Sequence, residues 1–177
     1  MNHKFLNCRG KLVSLEKPLI MGILNVTPDS FFDGGNFNDE FSWLKHTEKM
    51  LVDGAGIIDV GCVSTRSGSM PIEEKDEATK AVKVVASLRK NFPGIIISVD
   101  TYRASVAHAT VDSGADIIND ISGGMMDENM YQTVAGLNVP YVLMHMQGTP
   151  ETMQQKPSYT NITKEILYFF SDKINRL

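Results

Sequence analysis

Short apolar runs alternate with amphipathic segments along most of the chain. Each run is short enough for a buried strand, and the segments between them carry apolar residues at helical spacing, which predicts alternating strands and helices. A hairpin with its turn at Asn7–Gly10 precedes this pattern. The predicted strands are 19–24, 56–60, 95–99, 116–119 and 139–144, and the predicted helices are 39–52, 73–92, 101–113, 127–137 and a last one after Pro157.

The residue patterns also predict burial and capping at three places. The run Leu19–Leu24 is typical of a strand buried on both faces. In the first helix, Phe41, Leu44 and Leu51 are predicted to face inward. Thr101 is predicted to cap the third helix, since its hydroxyl can accept from a free backbone N–H.

The order of elements predicts a parallel α/β fold. No two-residue hairpin follows residue 18, and Asp53–Asp59 resembles Ser113–Asn119, each being a helix end, a glycine and a short strand closing on Asp or Asn. Such repetition favours a TIM (β/α)8 barrel over an open doubly wound sheet. A barrel needs about 250 residues, so residues 1–177 are expected to form one barrel domain with about five βα units, lacking the later strands and helices.

Polar residues close the predicted strands. The carboxyl ends of parallel strands in a barrel meet at one face, so these residues are expected to converge there, although Asp and Asn also suit ordinary turns. Asp100 and Asn119 together could accept from and donate to the edge of a flat, nitrogen-rich heterocycle. Asp59 and His145 are interpreted as structural. The strand-end residues are Asn25, Asp59, Asp100, Asn119 and the pair Met144–His145.

Two loops follow the first two parallel strands and complete the candidate site. Ser64, Thr65 and Arg66 offer hydroxyls and a guanidinium suited to phosphate oxygens. The other loop, 26–35, combines Asp29, Phe31 and paired glycines, a composition typical of a lid over a small-molecule site.

The composition narrows the range of partners. The 177 residues are 42% hydrophobic and 21% charged, with a net charge of −4, so no basic surface indicates nucleic acid. No apolar run is long enough for a membrane span, and no secretory pattern opens the sequence. Two cysteines, Cys8 and Cys62, suit a reducing compartment. A cytoplasmic location is therefore expected.

Four stretches in order resemble the dihydropteroate synthase family. They are 20–35, Ser64–Arg66, Ser98–Thr101 and Ile117–Asp120. The resemblance implies condensation of (7,8-dihydropterin-6-yl)methyl diphosphate with p-aminobenzoate, which yields 7,8-dihydropteroate and pyrophosphate in folate biosynthesis. Magnesium is the implied cofactor, and small molecules are the implied partners.

The resemblance also implies residue roles. Asp100 and Asn119 would hold the pterin ring, which Ile121 and Met144 would line. Ser64, Thr65 and Arg66 would contact the pyrophosphate and help to seat p-aminobenzoate, while Asn25 would bind the magnesium pyrophosphate. Asp29 and Phe31 would belong to the lid, and Asn25, Arg66 and Asp100 would be the catalytic set.

One loop departs from the family pattern. The family usually reads Gly-Gly-Glu-Ser-Thr-Arg-Pro-Gly, and Cys62, Val63 and Ser67 stand here in place of Gly, Glu and Pro. A rigid proline is therefore lost beside the implied p-aminobenzoate site, and the resemblance predicts p-aminobenzoate binding less strongly than pterin binding.

The resemblance stops before the family's later strands. Those strands supply another pterin-binding Asp, a Lys, and an Arg/His pair, and the later helices form the usual homodimer interface. The chain as given is therefore expected to be inactive alone. Two alternatives stay open: a pterin-barrel methyltetrahydrofolate methyltransferase, which needs neither the lid nor the Ser-Thr-Arg loop, and a non-catalytic pterin-binding remnant.

Overall fold

The computed structural model describes residues 4–26, 40–63, 72–150, 152–153 and 155–177. A two-stranded antiparallel hairpin comes first, and a five-stranded parallel sheet follows it. The elements are β1 (Phe5–Cys8), β2 (Lys11–Ser14), β3 (Ile20–Asn25), α1 (Glu40–Val52), β4 (Ala55–Gly61), α2 (Glu74–Asn91), β5 (Ile96–Asp100), α3 (Ala104–Asp112), β6 (Ile117–Asp120), α4 (Met130–Leu137), β7 (Tyr141–Leu143) and α5 (Ile162–Ile174).

The sheet follows the chain from one strand to the next. Its order is β3-β4-β5-β6-β7, and every neighbouring pair is parallel. Sequential order is that of a (β/α) barrel, because a doubly wound sheet reverses its order part of the way across. The predicted α/β class and barrel-type order are therefore confirmed, and the barrel is incomplete. Within the described ranges, no helix combines the length and the hydropathy needed to cross a membrane.

Alternating residues of the strands pack on opposite sides of the sheet. One side, which includes Leu24, Val60, Val99 and Ile118, packs against the helices and forms the main core. The other side carries a smaller cluster near the amino-terminal ends of the strands, formed by Cys8, Ile57, Ile96 and Ile117. The hairpin therefore covers the amino-terminal end of the sheet face that points away from the helices. In the described residues, the hairpin does not reach the carboxyl-terminal end of that face.

The predicted burial of β3 on both faces is wrong. Leu24 is fully buried against the helices, but Ile20 and Ile23 are 63% and 62% exposed. Among the described residues, β3 is an edge strand of the sheet and pairs only with β4. On the face away from the helices, the side chains of β3 have a neighbouring strand on one side only. Side chains on that face, such as Ile23, therefore remain accessible.

The predicted inward face of α1 is also partly wrong. Phe41 is 68% exposed, whereas Trp43 and Thr47 are buried. Leu44 and Leu51 are half-buried and pack on the core as predicted. The buried stripe passes through Trp43 and its helical neighbour Thr47, because residues four apart lie on one side of a helix.

The start of α3 differs from the prediction as well. The residue that precedes the helix is Arg103, and Thr101 does not cap it. The backbone N–H of Ala104 instead donates to Asp127 Oδ2 at 2.7 Å. A carboxylate from the β6–α4 connection thus accepts from the first N–H of the helix. The Thr101 hydroxyl accepts from the N–H of Arg103, just before the helix, at 3.2 Å and donates to Glu77.

The last helix, α5, is only partly buried. No residue of α5 is fully buried. Ile166, Phe169 and Phe170 are half-buried, while Ile162 and Ile174 are 53% and 62% exposed. α5 follows the edge strand β7, so in the described ranges it has the sheet on one side only.

Candidate active site

One register row crosses four strands at their carboxyl-terminal ends. Asn25 of β3 pairs with Gly61 of β4, Gly61 pairs with Asp100 of β5, and Asp100 pairs with Asn119 of β6. Residues in one row of a parallel sheet point to the same face. Since the next row, which includes Val60, faces the helices, these polar residues share the opposite face.

Gly61 leaves space between Asn25 and Asp100. A Cβ at Gly61 would lie 2.9 Å from Asn25 Oδ1 and 3.9 Å from Asp100 Oδ2. The backbone N–H of the next residue, Val26, donates to the Gly61 carbonyl at 2.8 Å, which holds the two strand ends together. An amide oxygen and a carboxylate oxygen therefore face the same small volume above the glycine.

Asp100 lies in an environment that disfavours its charge. Burial, followed by the nearby carboxylates of Asp59, Asp120 and Glu77, raises the pKa of Asp100 to about 7. None of the described residues donates a hydrogen bond to its carboxylate. Asp100 therefore changes its protonation state near neutral pH, and a cationic or hydrogen-bond-donating ligand would stabilise its ionised form.

Asn119 contacts a second carboxylate below the row. Its Nδ2 donates to Asp59 Oδ2 at 3.1 Å. Asp59 is only 6% exposed, and its other oxygen has no hydrogen-bond partner among the described residues. The predicted place of Asp59 at a strand end is wrong, because β4 continues to Gly61; Asp59 lies one layer below the row, where it contacts Asn119.

Hydrogen bonds to Asp120 fix the conformation of the loop that follows β6. This fully buried carboxylate accepts from the N–H of Ser122 at 2.7 Å, from the N–H of Gly124 at 2.8 Å and from the Tyr141 hydroxyl at 2.6 Å. Gly123, in the same loop, has a φ of 59° and leaves room for the Met144 carbonyl, which would lie 2.6 Å from a Cβ there. This packing fixes the start of the loop after β6 beside the end of β7.

The two apolar site candidates lie on these fixed segments. Ile121 stands directly after Asp120, Met144 directly after β7, and both are half-buried. The neighbouring His145 packs its ring against Phe169, with ring centroids 4.8 Å apart and nearly perpendicular planes. His145 therefore has aromatic neighbours, and its structural interpretation stays a prediction.

A buried ion pair beside the row was missed by the sequence analysis. Glu77 of α2 is 2% exposed. Its Oε1 accepts from the Thr101 hydroxyl at 2.7 Å, and its Oε2 accepts from Arg103 Nη1 at 2.8 Å. Arg103 Nη2 also donates to the Ile72 carbonyl at 2.9 Å. The network fixes the backbone that follows Asp100, and no sequence signal joins these residues.

The remaining candidates lie outside the described residues. They are Asp29, Phe31, Ser64, Thr65 and Arg66. Among the described residues, no group of three or more His, Cys, Asp or Glu side chains could hold a metal ion. Asn25 Oδ1 is an exposed, neutral oxygen of the kind that Mg²⁺ accepts as one ligand when phosphate and water supply the others.

Several solved structures are similar to this chain. A dihydropteroate synthase from Yersinia pestis in complex with a sulfonamide drug has a TM-score of 0.87 and 40% identity, over 98% of this chain and 62% of that one. The Xanthomonas albilineans enzyme, solved with 4-aminobenzoic acid, has a TM-score of 0.85 and 34% identity over 98% of this chain and 60% of its own. The Burkholderia cenocepacia enzyme was solved with 7,8-dihydropteroate; it has a TM-score of 0.79 and 32% identity over 96% and 56% of the two chains.

Curated relatives agree with the structures. The dihydropteroate synthase of Streptococcus pyogenes is 40% identical over 164 residues, which cover 93% of this chain and 59% of that protein. A folate synthesis bifunctional protein of Arabidopsis thaliana is 43% identical over 155 residues, 85% of this chain and 32% of its own length. The chain thus spans less than two thirds of either relative. Residues 21–177 match the family model described as pterin binding enzyme, and the chain belongs to that family.

Proposed function

We propose that this chain supplies the N-terminal, pterin-binding part of a dihydropteroate synthase. The row Asn25, Gly61, Asp100 and Asn119 at the ends of four adjacent strands is the observation that carries the proposal. Membership of the pterin binding enzyme family and about 40% identity to dihydropteroate synthases support it. The substrates are (7,8-dihydropterin-6-yl)methyl diphosphate and p-aminobenzoate.

Asp100 and Asn119 hold the polar edge of the pterin ring. The amide of Asn119 keeps one N–H and its oxygen for a ligand after donating to Asp59. Asp100 has no protein donor in the described ranges, so ring N–H groups can satisfy it. Ile121 and Met144, both half-buried, contact the apolar faces of the flat ring.

The reaction breaks the bond between the pterin methylene carbon and the diphosphate oxygen. The bonding electrons leave with pyrophosphate, the amine nitrogen of p-aminobenzoate forms the new C–N bond, and the amine proton is released to solvent. Positive charge develops on the pterin as the bond breaks, and the ionised carboxylate of Asp100 stabilises it. The burial of Asp100, which is the largest cause of its raised pKa of about 7, strengthens that interaction.

The pyrophosphate is bound on the Asn25 side of the row. Ser64, Thr65 and Arg66 follow β4 in sequence, and their hydroxyls and guanidinium suit its oxygens. Asn25 would contribute one oxygen to a Mg²⁺ ion, which neutralises charge on the departing pyrophosphate when it is bound. Asp29 and Phe31 belong to the loop that encloses the amine and excludes water.

Further features of the whole protein remain proposals. Residues 1–177 are the pterin-binding domain, and the rest of the barrel supplies the other groups that contact the two substrates. A cytoplasmic location and a homodimer formed through the later helices complete the proposal.

The proposal is tested by ligand titration and turnover. We expect the pterin diphosphate to bind, and p-aminobenzoate to bind in its presence. Asp100→Asn and Asn119→Ala should each weaken pterin binding at least tenfold. The control Asp53→Asn changes a carboxylate whose side chain is 60% exposed and should have no effect.

Turnover is measured as pyrophosphate release with both substrates, using the longest form of the protein that the gene encodes. Binding of methyltetrahydrofolate in place of the pterin diphosphate would contradict the synthase and indicate a methyltransferase. Tight pterin binding without turnover by that form would indicate a pterin-binding protein instead of an enzyme.

A further inference from the structure

Among the described residues, three buried aspartates lie on the strands or at their ends, and they differ in the number of hydrogen bonds that they accept. Asp116 accepts from Arg89 Nη2 at 2.5 Å and from the N–H of Ile97 at 2.9 Å. Asp120 accepts three hydrogen bonds. Asp59 accepts one, and its Oδ1 is buried without a partner among the described residues. Asp116 and Asp120 hold the fold together, whereas one hydrogen bond does not compensate for burying Asp59.

The partner of Asp59 is the site residue Asn119. A carboxylate only accepts hydrogen bonds, so it turns the NH₂ end of the Asn119 amide toward itself at 3.1 Å. The amide oxygen is then the end left for a ligand, together with one N–H. Without Asp59, the two ends of this amide would differ little in energy and both would face the ligand in turn.

The layer under the row contains a second polar group without a partner. Ser98 pairs with Asp59 in the register, it is fully buried, and its Oγ makes no hydrogen bond to any described residue. The other two members of that layer are apolar: Ile117 is 2% exposed, and Ile23, on the edge strand, is 62% exposed. Asp59 is therefore held in a mostly apolar layer where its single contact with Asn119 is strong.

We propose that Asp59 is a positioning residue that fixes the Asn119 amide, so that the site selects a heterocycle with a ring N–H facing Asn119 Oδ1. This inference rests on the proposed pterin site and names a determinant of its specificity. The charge of Asp59 is also the second largest cause of the raised pKa of Asp100, after burial. One carboxylate below the row thus acts on both pterin-binding side chains without touching the ligand.

The test replaces Asp59 with its isostere. Asp59→Asn keeps the shape but offers Asn119 either a donor or an acceptor, so the Asn119 amide is no longer held in one orientation. We expect at least a tenfold loss of affinity for 6-hydroxymethyl-7,8-dihydropterin and a lower pKa of Asp100. Ser98→Ala alters the same layer without touching Asn119 and should bind the pterin within about twofold of wild type.

A ligand-free measurement keeps the inference independent of pterin binding and of the variant's folding. In the wild type, one side-chain N–H of Asn119 should exchange slowly with solvent in NMR spectra, because it is held by Asp59 Oδ2. Rapid exchange of both hydrogens in the wild type would overturn the inference. Equal pterin affinity of the wild type and Asp59→Asn would also overturn the inference. If the wild type does not bind the pterin, the proposed function is overturned, but the inferred orientation of the Asn119 amide is not.

Discussion

The side chains of Asn25 and Asp100 face each other across a residue that has no side chain. Asn25 Oδ1 and Asp100 Oδ2 both lie within 4 Å of the position that a Gly61 Cβ would take. The three residues belong to adjacent strands and share one register row. The proposed positions for pyrophosphate and pterin therefore meet over Gly61, where the bond between them must break.

The first prediction concerns Gly61→Ala. The new methyl group would lie 2.9 Å from Asn25 Oδ1, which must move because this contact is closer than atoms normally approach. Asn25 is exposed, so it can turn away at little cost to folding. We expect the free energy of unfolding to change by less than about 1 kcal/mol. Binding of the pterin diphosphate, measured by calorimetry, should weaken about tenfold, which corresponds to about 1.4 kcal/mol.

A second glycine provides the matched control. Gly136 lies within α4, and a Cβ there would have no neighbour within 4 Å. Gly136→Ala should raise the stability by about 0.5–1 kcal/mol through helix propensity and leave binding unchanged. Equal ligand affinity of the Gly61→Ala variant and wild type would contradict the role of this space.

The second prediction concerns the pH dependence of stability. The pKa of Asp100 is raised from 3.8 to about 7 in the folded protein, so the unfolded chain loses this proton first as the pH rises. The free energy of unfolding therefore falls as the pH rises from about 4 to about 7, and the loss caused by Asp100 stays constant above pH 7. Asp100→Asn should therefore be more stable than wild type at pH 8, by on the order of 2 kcal/mol because water screens part of the effect.

The same variant should lose that advantage in acid. At pH 4.5 the wild-type carboxyl is already protonated in the folded state, and the two proteins should unfold at similar urea concentrations. Urea unfolding of both proteins at several pH values measures the difference directly. A difference that does not change with pH would mean that Asp100 is ionised throughout the range.

The ends of β5 and β6 were predictable from the sequence because a polar residue directly after a short apolar run marks each of them. Asp100 and Asn119 each close an apolar run, and runs of parallel strands end at one edge of a sheet. The contact between Asn119 and Asp59 spans 60 residues, and that between Arg103 and Glu77 spans 26. Such pairs depend on register and helix rotation, which a single sequence does not determine.

The errors have the same origin. Thr101 has the residue type of a helix cap, but its hydroxyl donates to Glu77, a partner that only tertiary packing brings near. Ile23 is as apolar as Leu24, and it is exposed because β3 has one neighbouring strand in the described sheet. Residue type predicted what each side chain could do, and the choice among its possible partners came from the assembled sheet.

The third prediction concerns the two cysteines. Both are buried, and burial is the largest cause of a raised thiol pKa, which reaches about 12 for Cys62. The thiolate is the reactive form. A disulfide reagent at pH 8 should therefore react slowly with the folded protein, and two thiols should react at once in urea. Rapid reaction of one thiol without urea would contradict the burial of that cysteine.

The last prediction concerns the buried pair of Glu77 and Arg103. Arg103→Met removes the only cation that bonds to Glu77 in the described ranges, and leaves a carboxylate that is 2% exposed with Thr101 as its remaining partner. We expect a loss of about 3 kcal/mol in the free energy of unfolding at pH 8. The double variant Glu77→Gln/Arg103→Met should lose less than Arg103→Met alone, because no charge is then left buried.

Measurements at two pH values, with a surface ion pair as control, distinguish the cost of the unpaired Glu77 carboxylate from the loss of Arg103 packing. Burial already raises the pKa of Glu77, and removal of Arg103 raises it further, so the carboxyl of the variant can be protonated in mild acid. The loss caused by Arg103→Met should therefore be smaller at pH 5 than at pH 8. Lys49→Met, which breaks a pair whose side chains are 71% and 60% exposed, should cost less than about 1 kcal/mol at both pH values. An Arg103→Met loss that is equal at the two pH values would indicate that Arg103 stabilises the site by packing alone.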